Sequence, residues 1–311
     1  MMAMAWLQPV IERYEQEGLK TEAEKLQLMS AEKGKNIGTD LKEVSVQVEV
    51  TQEEQEAIAK LVEKLIGTDD LNAALGRIAT YFVPKANDAR KLLERIRVDA
   101  PLMSIIPISI IAGDGHTTAR VGSLDEDPDG RLHKQLAETV GFYQPFLART
   151  LARLKEKYAP TTENVLDFLC QSPLFEQTRN GLLRDGLLAY EREDFVKAIY
   201  VLVPQVEDIL RNFLGHLGRP TLKTVKGHPG VMDARSMNEV LRDEQMRSVL
   251  TENLWRYLEV VYVDKRGLNL RNNLAHGLLS PDAFSRYVAD RVFHTLLALS
   301  LMRVMEPNRG D

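Results

Sequence analysis

Between Phe195 and Phe213 the apolar residues Phe195, Ile199, Leu202, Val206, Ile209 and Phe213 recur three and four apart. That spacing places all six on one stripe of an α-helix, and a stripe this apolar needs other helices to cover it. The same rhythm returns on either side. Leu182, Leu183, Leu187 and Leu188 carry it upstream, and Met246, Val249, Leu250, Leu254, Leu258 and Val261 carry it downstream. Phe284, Val288, Val292, Leu296, Leu299 and Met302 repeat it near the C-terminus, with Arg286, Arg291 and Arg303 read on other faces. The fold class expected is mostly α: a helical bundle over residues 173–311, preceded by a mainly helical N-terminal domain over 1–172 with at most a few short strands.

Residues 1–37 form a helical pair broken at Gly18, and Val44, Val46, Val48 and Val50 alternate as a half-buried strand does. Thr51 and Glu54 form a capping-box pattern ahead of Ile58, Leu61, Val62 and Leu65, and Asp69 or Asp70 can cap the next helix. Leu102 to Ile111 is apolar and short, which favours a buried strand or a broken helix. Asp125 to Gly130 copies the opening of a calcium loop. The twelfth position is Leu136 instead of glutamate and Pro128 stiffens the fourth, so an exposed loop is expected. The domain boundary is placed near Ala159–Thr162, where Thr162 can cap a helix, or around Ser172–Pro173.

At 311 residues the chain has room for two cores. One cysteine, Cys170, excludes an intrachain disulfide framework and suits a reducing cytoplasm. No apolar run reaches membrane-spanning length and no signal peptide is visible, so a cytoplasmic protein without membrane contact is expected. Neither a cofactor motif nor a metal-ligand spacing occurs, and His116 and His133 read as surface or satisfied core histidines. A net charge of -5 argues against wrapping nucleic acid. It leaves room for a local basic cleft, since Arg256, Lys265, Arg266 and Arg271 outnumber Glu259 and Asp264. The loop from Gly215 to Asp233 is mildly basic through Lys223, Lys226 and His228, and its length favours a functional role.

Chemistry concentrates in Arg271-Asn272-Asn273-Leu274-Ala275-His276-Gly277. Asn269 reads as the N-cap of a short helix that Gly277 ends, and Ser280-Pro281 reads as the start of the next. On that helix Asn272 and His276 share a face. Arg271 lies about 140° round the axis from His276, within reach of a long arginine stem. A guanidinium suits paired hydrogen bonds to a phosphate, and an imidazole suits proton transfer.

Arg271, four intervening residues and His276, with Asn272 after the arginine and Ala275 and Gly277 flanking the histidine, resemble the R-N-x-x-A-H-G form of the HEPN signature. The HEPN superfamily comprises α-helical domains. Many are metal-independent ribonucleases of bacterial toxin and phage-defence systems, and others are RNA- or nucleotide-binding modules without activity. The resemblance covers roughly the last 130 residues. It implies Arg271 and His276 as catalytic, and Asn272, Asn273, Glu207, Arg211, Lys265 and Arg266 as supporting or substrate-binding. Glu207 is expected opposite Arg271, although with Arg211 it also reads as a surface ion pair. RNA or a nucleotide as ligand, no cofactor and a homodimer through the C-terminal domain are likewise implied, and a protein partner is expected on the N-terminal domain, which carries no chemistry of its own. Three readings stay open: a ribonuclease, a binding module without turnover, and a polar cluster that satisfies buried carbonyls at a helix junction. A histidine at a helix C-terminus is favoured as imidazolium, which suits a general acid or phosphate binder better than a base.

Overall fold

The computed structural model describes residues 2–34, 51–112 and 116–303. The strand read over Val44–Val50 lies outside them. In chain order the helices are α1 (Met2–Gln16), α2 (Lys20–Gly34), α3 (Gln52–Ile66), α4 (Leu71–Tyr81), α5 (Ala86–Asp99) and α6 (Pro101–Ile105). Strands β1 (Ile108–Ile111) and β2 (Thr117–Val121) follow, then α7 (Pro128–Tyr158), α8 (Thr162–Leu169), α9 (Asn180–Glu191) and α10 (Phe195–His216). After β3 (Leu222–Thr224) and β4 (Met232–Ala234) come α11 (Met237–Leu241), α12 (Glu244–Val249), α13 (Glu252–Tyr262), α14 (Leu270–Ala275) and α15 (Arg286–Ser300). The protein is mostly α-helical, as the periodicity predicts.

Contacts divide the chain into two units, residues 1–50 with 93–131 and residues 51–92 with 132–311. Residues 51–92 and 132–172, read from the sequence with the N-terminal domain, cluster here with 173–311.

In the first unit α1 and α2 pair through the turn at Gly18, where φ of +76° suits glycine. β1 and β2 form an antiparallel pair with Ile108 opposite Val121. The apolar segment from Leu102 is the short helix α6 followed by β1, and the burial expected of it is not seen: Leu102, Met103, Ile105 and Ile106 are all more than half exposed. The acidic turn starts α7. Asp127 accepts the Gly130 N–H at 2.8 Å, and Pro128 occupies the first turn, where a missing N–H costs nothing.

In the second unit the caps predicted for α3 and α4 form. The Glu54 N–H donates to Thr51 Oγ1 at 3.2 Å, the Thr51 N–H returns to Glu54 at 2.8 Å, and Asp70 accepts from Asn72. At α8 the cap is one residue earlier than expected, Thr161, in a reciprocal box with Asn164. α10 continues through Pro204, and its predicted stripe is buried from Ile199 to Phe213. Each large apolar side chain so covered contributes about 1.5–3 kcal/mol relative to exposure. Gly186 of α9 lets α10 approach, because a Cβ there would overlap Leu202. The span expected as one helix from 244 to 263 is two, since Leu250 turns to an extended ψ of 137° and Thr251 caps α13.

α15 is buried on every side from Val288 to Ser300 and touches α4, α8 and α10. Arg291, read from the sequence on another face, is therefore 0 % exposed. Its Nη2 donates to Val140 O at 3.1 Å and Gln144 Oε1 at 2.9 Å, while Nε and Nη1 find no partner among the described residues. Tyr190 donates to Asp290 at 2.6 Å, and burial pushes the Asp290 carboxyl above its ordinary range. His294 meets the Tyr257 hydroxyl through Nδ1 at 2.7 Å. Its Nε2 faces the Ile78 and Ala79 backbone without a hydrogen bond of good geometry. Burial, then the Arg291 charge, pushes this imidazole down to about 3.

Candidate functional site

The 263–269 loop sets the site. The Leu268 N–H donates to Val260 O at 2.9 Å, and Gly267 passes so close to that carbonyl that a Cβ would overlap its oxygen. The chain then turns through Asn269, at φ +47° and ψ +34°, a left-handed conformation that asparagine tolerates better than most residues. Asn269 precedes α14 as expected but makes no side-chain cap. Its Oδ1 accepts from Asn272 Nδ2 at 2.8 Å and its Nδ2 donates to Asn273 Oδ1 at 3.2 Å. Asn273 also donates to Leu268 O at 3.2 Å. The three amides thus lock the entry to α14.

From the first turn of α14, Arg271 reaches α10. Nε donates to Glu207 Oε2 at 2.9 Å and Nη2 to Oε1 at 3.2 Å, a two-pronged contact that fixes the guanidinium plane. The Glu207 side chain is only 12 % exposed and Arg271 26 %. Glu207 Oε1 also accepts the Met237 N–H at 3.0 Å and lies 3.3 Å from Arg211 Nη2. Arg211 in turn contacts Asp208 at 3.4 Å and donates from Nε to Arg235 O at 3.3 Å. Asp208 takes a further bond from Arg179 at 3.0 Å. Three guanidiniums against two carboxylates leave the cluster one positive charge in excess.

Arg271 spends one more N–H on Asn272 Oδ1 at 3.3 Å. A guanidinium has five N–H groups, so two of its donors stay uncommitted among the described residues. His276 ends α14 as its C-cap, with its backbone N–H donating to Asn272 O at 3.1 Å. Its side chain is exposed and has no partner among the described residues, and Gly277 follows at φ +66°. The residue after that, Leu278, is 70 % exposed.

The structure therefore brings Glu207, Arg211, Arg271 and Asn272 into one hydrogen-bonded group. Asn273 serves its own loop. Arg266 folds back on Asp264, Nε to Oδ1 at 2.8 Å and Nη2 to Oδ2 at 2.6 Å. Burial works to raise the Asp264 carboxyl, yet the bonds from Arg266 outweigh it and hold the group below its ordinary range. Lys265 projects into solvent beside it. Arg271 and His276 share no hydrogen bond.

Sequence reasoning missed Arg179 and Asp208, which brace Arg211, and the Met237 N–H, which ties Glu207 to the segment after β4. Asp208 stands three residues before Arg211, a helical spacing that could have signalled it. The stretch 215–233, read as a loop, begins with the last turn of α10 and holds β3 and most of β4, a ribbon exposed on both faces. A second polar group lies on α13 and α7. His133, 2 % exposed, binds Glu259 through Nε2 at 2.9 Å and lies 3.8 Å from Asp264. Arg247 and Arg256 lie over the Trp255 ring at 4.4 and 4.9 Å.

Among the described residues no helix is long and apolar enough to cross a membrane. No family model, curated protein or solved structure matches the chain.

Proposed function

We propose that the protein is a HEPN-like metal-independent ribonuclease in which Arg271 stabilises the reacting phosphate and His276 transfers protons. One observation carries the reading. Glu207 fixes Arg271 by two hydrogen bonds within a cluster of net positive charge, while the imidazole five residues later stands in solvent. In the proposed step a ribose 2′-hydroxyl gives its proton to a neutral imidazole and its oxygen attacks the adjacent phosphorus. The P–O5′ bond breaks and the leaving oxygen takes a proton from a second, protonated imidazole. The products are a 2′,3′-cyclic phosphate and a 5′-hydroxyl. The two uncommitted Arg271 donors would stabilise the charge that builds on the phosphorane oxygens. One histidine per motif supplies half of the acid–base pair, so the second would come from another copy of the chain in a homodimer.

A second reading, an RNA- or nucleotide-binding module without turnover, is favoured by the separate settings of the two groups, because Arg271 is held by Glu207 while the exposed His276 shares no hydrogen bond with it. Incubating the protein with single-stranded RNA in chelator separates the two. Cleavage that disappears in His276→Ala at unchanged melting temperature supports the enzyme. RNA binding without cleavage, lost in Arg271→Ala, selects the module. Loss of folding in His276→Ala would refute both in favour of a purely structural role.

A further inference from the structure

A cavity of about 310 Å³ opens in the second unit among the C-terminal end of α7, the α7–α8 turn, the end of α9 and the start of α15. It shares no lining residue with the Arg271 cluster. Its walls are apolar, with Leu151, Leu154, Val165 and Leu187 on the sides. At its base Tyr190 stacks on Phe293, ring centres 4.9 Å apart and 8° from parallel. Side chains this well packed do not collapse into the space, and ligand sites combine such walls with a few polar groups at the mouth.

The rim decides the ligand. Arg286 is paired with Glu193 and lies 5.3 Å over the Phe195 ring. Glu191 accepts the Thr162 hydroxyl at 2.7 Å. Glu163, in the first turn of α8 but outside the lining, is held by Arg184 at 2.6 and 3.0 Å. Of the two cations that line the cavity, Arg286 is neutralised by Glu193 and Lys155 has no partner among the described residues, while Glu191 is engaged by a hydroxyl alone. The first turn of α8 opens on the same mouth, and its dipole has the same sign as the Lys155 ammonium. At roughly 30 Å³ per water-sized group the space holds about ten non-hydrogen atoms.

We propose that this cavity binds a small amphipathic monoanion, its hydrocarbon or aromatic body against Leu187, Tyr190 and Phe293 and its carboxylate-like head on Lys155. Octanoate, with an eight-carbon chain, is a fitting probe, and octylamine and octanol carry a similar chain with a cationic or neutral head. Calorimetric titration of the full chain at low salt should give saturable octanoate binding that exceeds both controls. Lys155 is exposed, so Lys155→Ala should fold normally and weaken octanoate about fivefold, with the difference fading as salt rises. Ala152→Trp, at an exposed lining position, should abolish binding by filling the mouth. No octanoate binding, octylamine binding at least as tight, or octanoate binding unchanged in both variants would each overturn the proposal.

Discussion

Acid should destabilise the second unit through His294 before it acts on the carboxylates. The imidazole is fully buried and its folded pKa lies near 3, against 6.5 in an unfolded chain. The native state keeps it neutral, so the stabilisation is complete above pH 6.5 and is lost as the pH falls toward 3. Between pH 7 and pH 5 the unfolded chain gains a proton there that the native state does not bind. Linkage converts this into a loss of about 2 kcal/mol. Glu239 and Glu252, held down to about 2 chiefly by Lys223 and Arg90 respectively, lose their contribution only as the pH falls from about 4.5, below that window. Asp290 has the opposite sign: its raised pKa means that acidification relieves an unfavourable buried charge. Urea unfolding of wild type and His294→Asn at pH 7 and pH 5 isolates the term, because the other groups are common to both proteins. Asparagine keeps an acceptor for the Tyr257 hydroxyl. The wild type should lose about 2 kcal/mol more than the variant. Parallel pH dependences in the two proteins would refute the reasoning.

Three further outcomes follow from the geometry. Glu207→Gln leaves the half-buried Arg271 without a charged partner, while Arg211 keeps Asp208, and should cost about 2 kcal/mol by urea denaturation, with RNA binding or cleavage reduced alongside. Gly267→Ala forces a Cβ against the Val260 carbonyl oxygen, so the loop must shift; a loss of about 2 kcal/mol and altered amide-exchange protection at Leu268 would show it. Gly186→Ala drives a Cβ into the branch carbon and a methyl of the buried Leu202, so α9 and α10 must part. Its cost should therefore fall in the upper part of the range for overpacking, about 3 kcal/mol by thermal melts.

The helices were legible because their apolar spacing is local information. Ile199 to Phe213 and the caps at Thr51 and Asp70 could be read residue by residue. What the sequence concealed depended on partners far along the chain. Arg291 looks like a solvent residue until Gln144 and Val140, on another helix, are known to receive it. Leu102 to Ile106 looks like core by composition, but nothing in its composition says whether another surface covers it. Asn269 has the residue type of an N-cap. The close approach at Gly267 instead sends it through a left-handed turn and gives its side chain to Asn272 and Asn273. At the candidate site the Glu207–Arg211 pair follows from helical spacing, whereas the Glu207–Arg271 bond spans 64 residues and was suggested only by the resemblance.

The all-round burial of α15 has a consequence for how the protein is made. The helices it fills the space between, α4, α8 and α10, leave the ribosome earlier. Until Val288–Ser300 follow, those helices must present bare hydrocarbon to water, so a nascent chain stalled before residue 286 should be a strong client for chaperones.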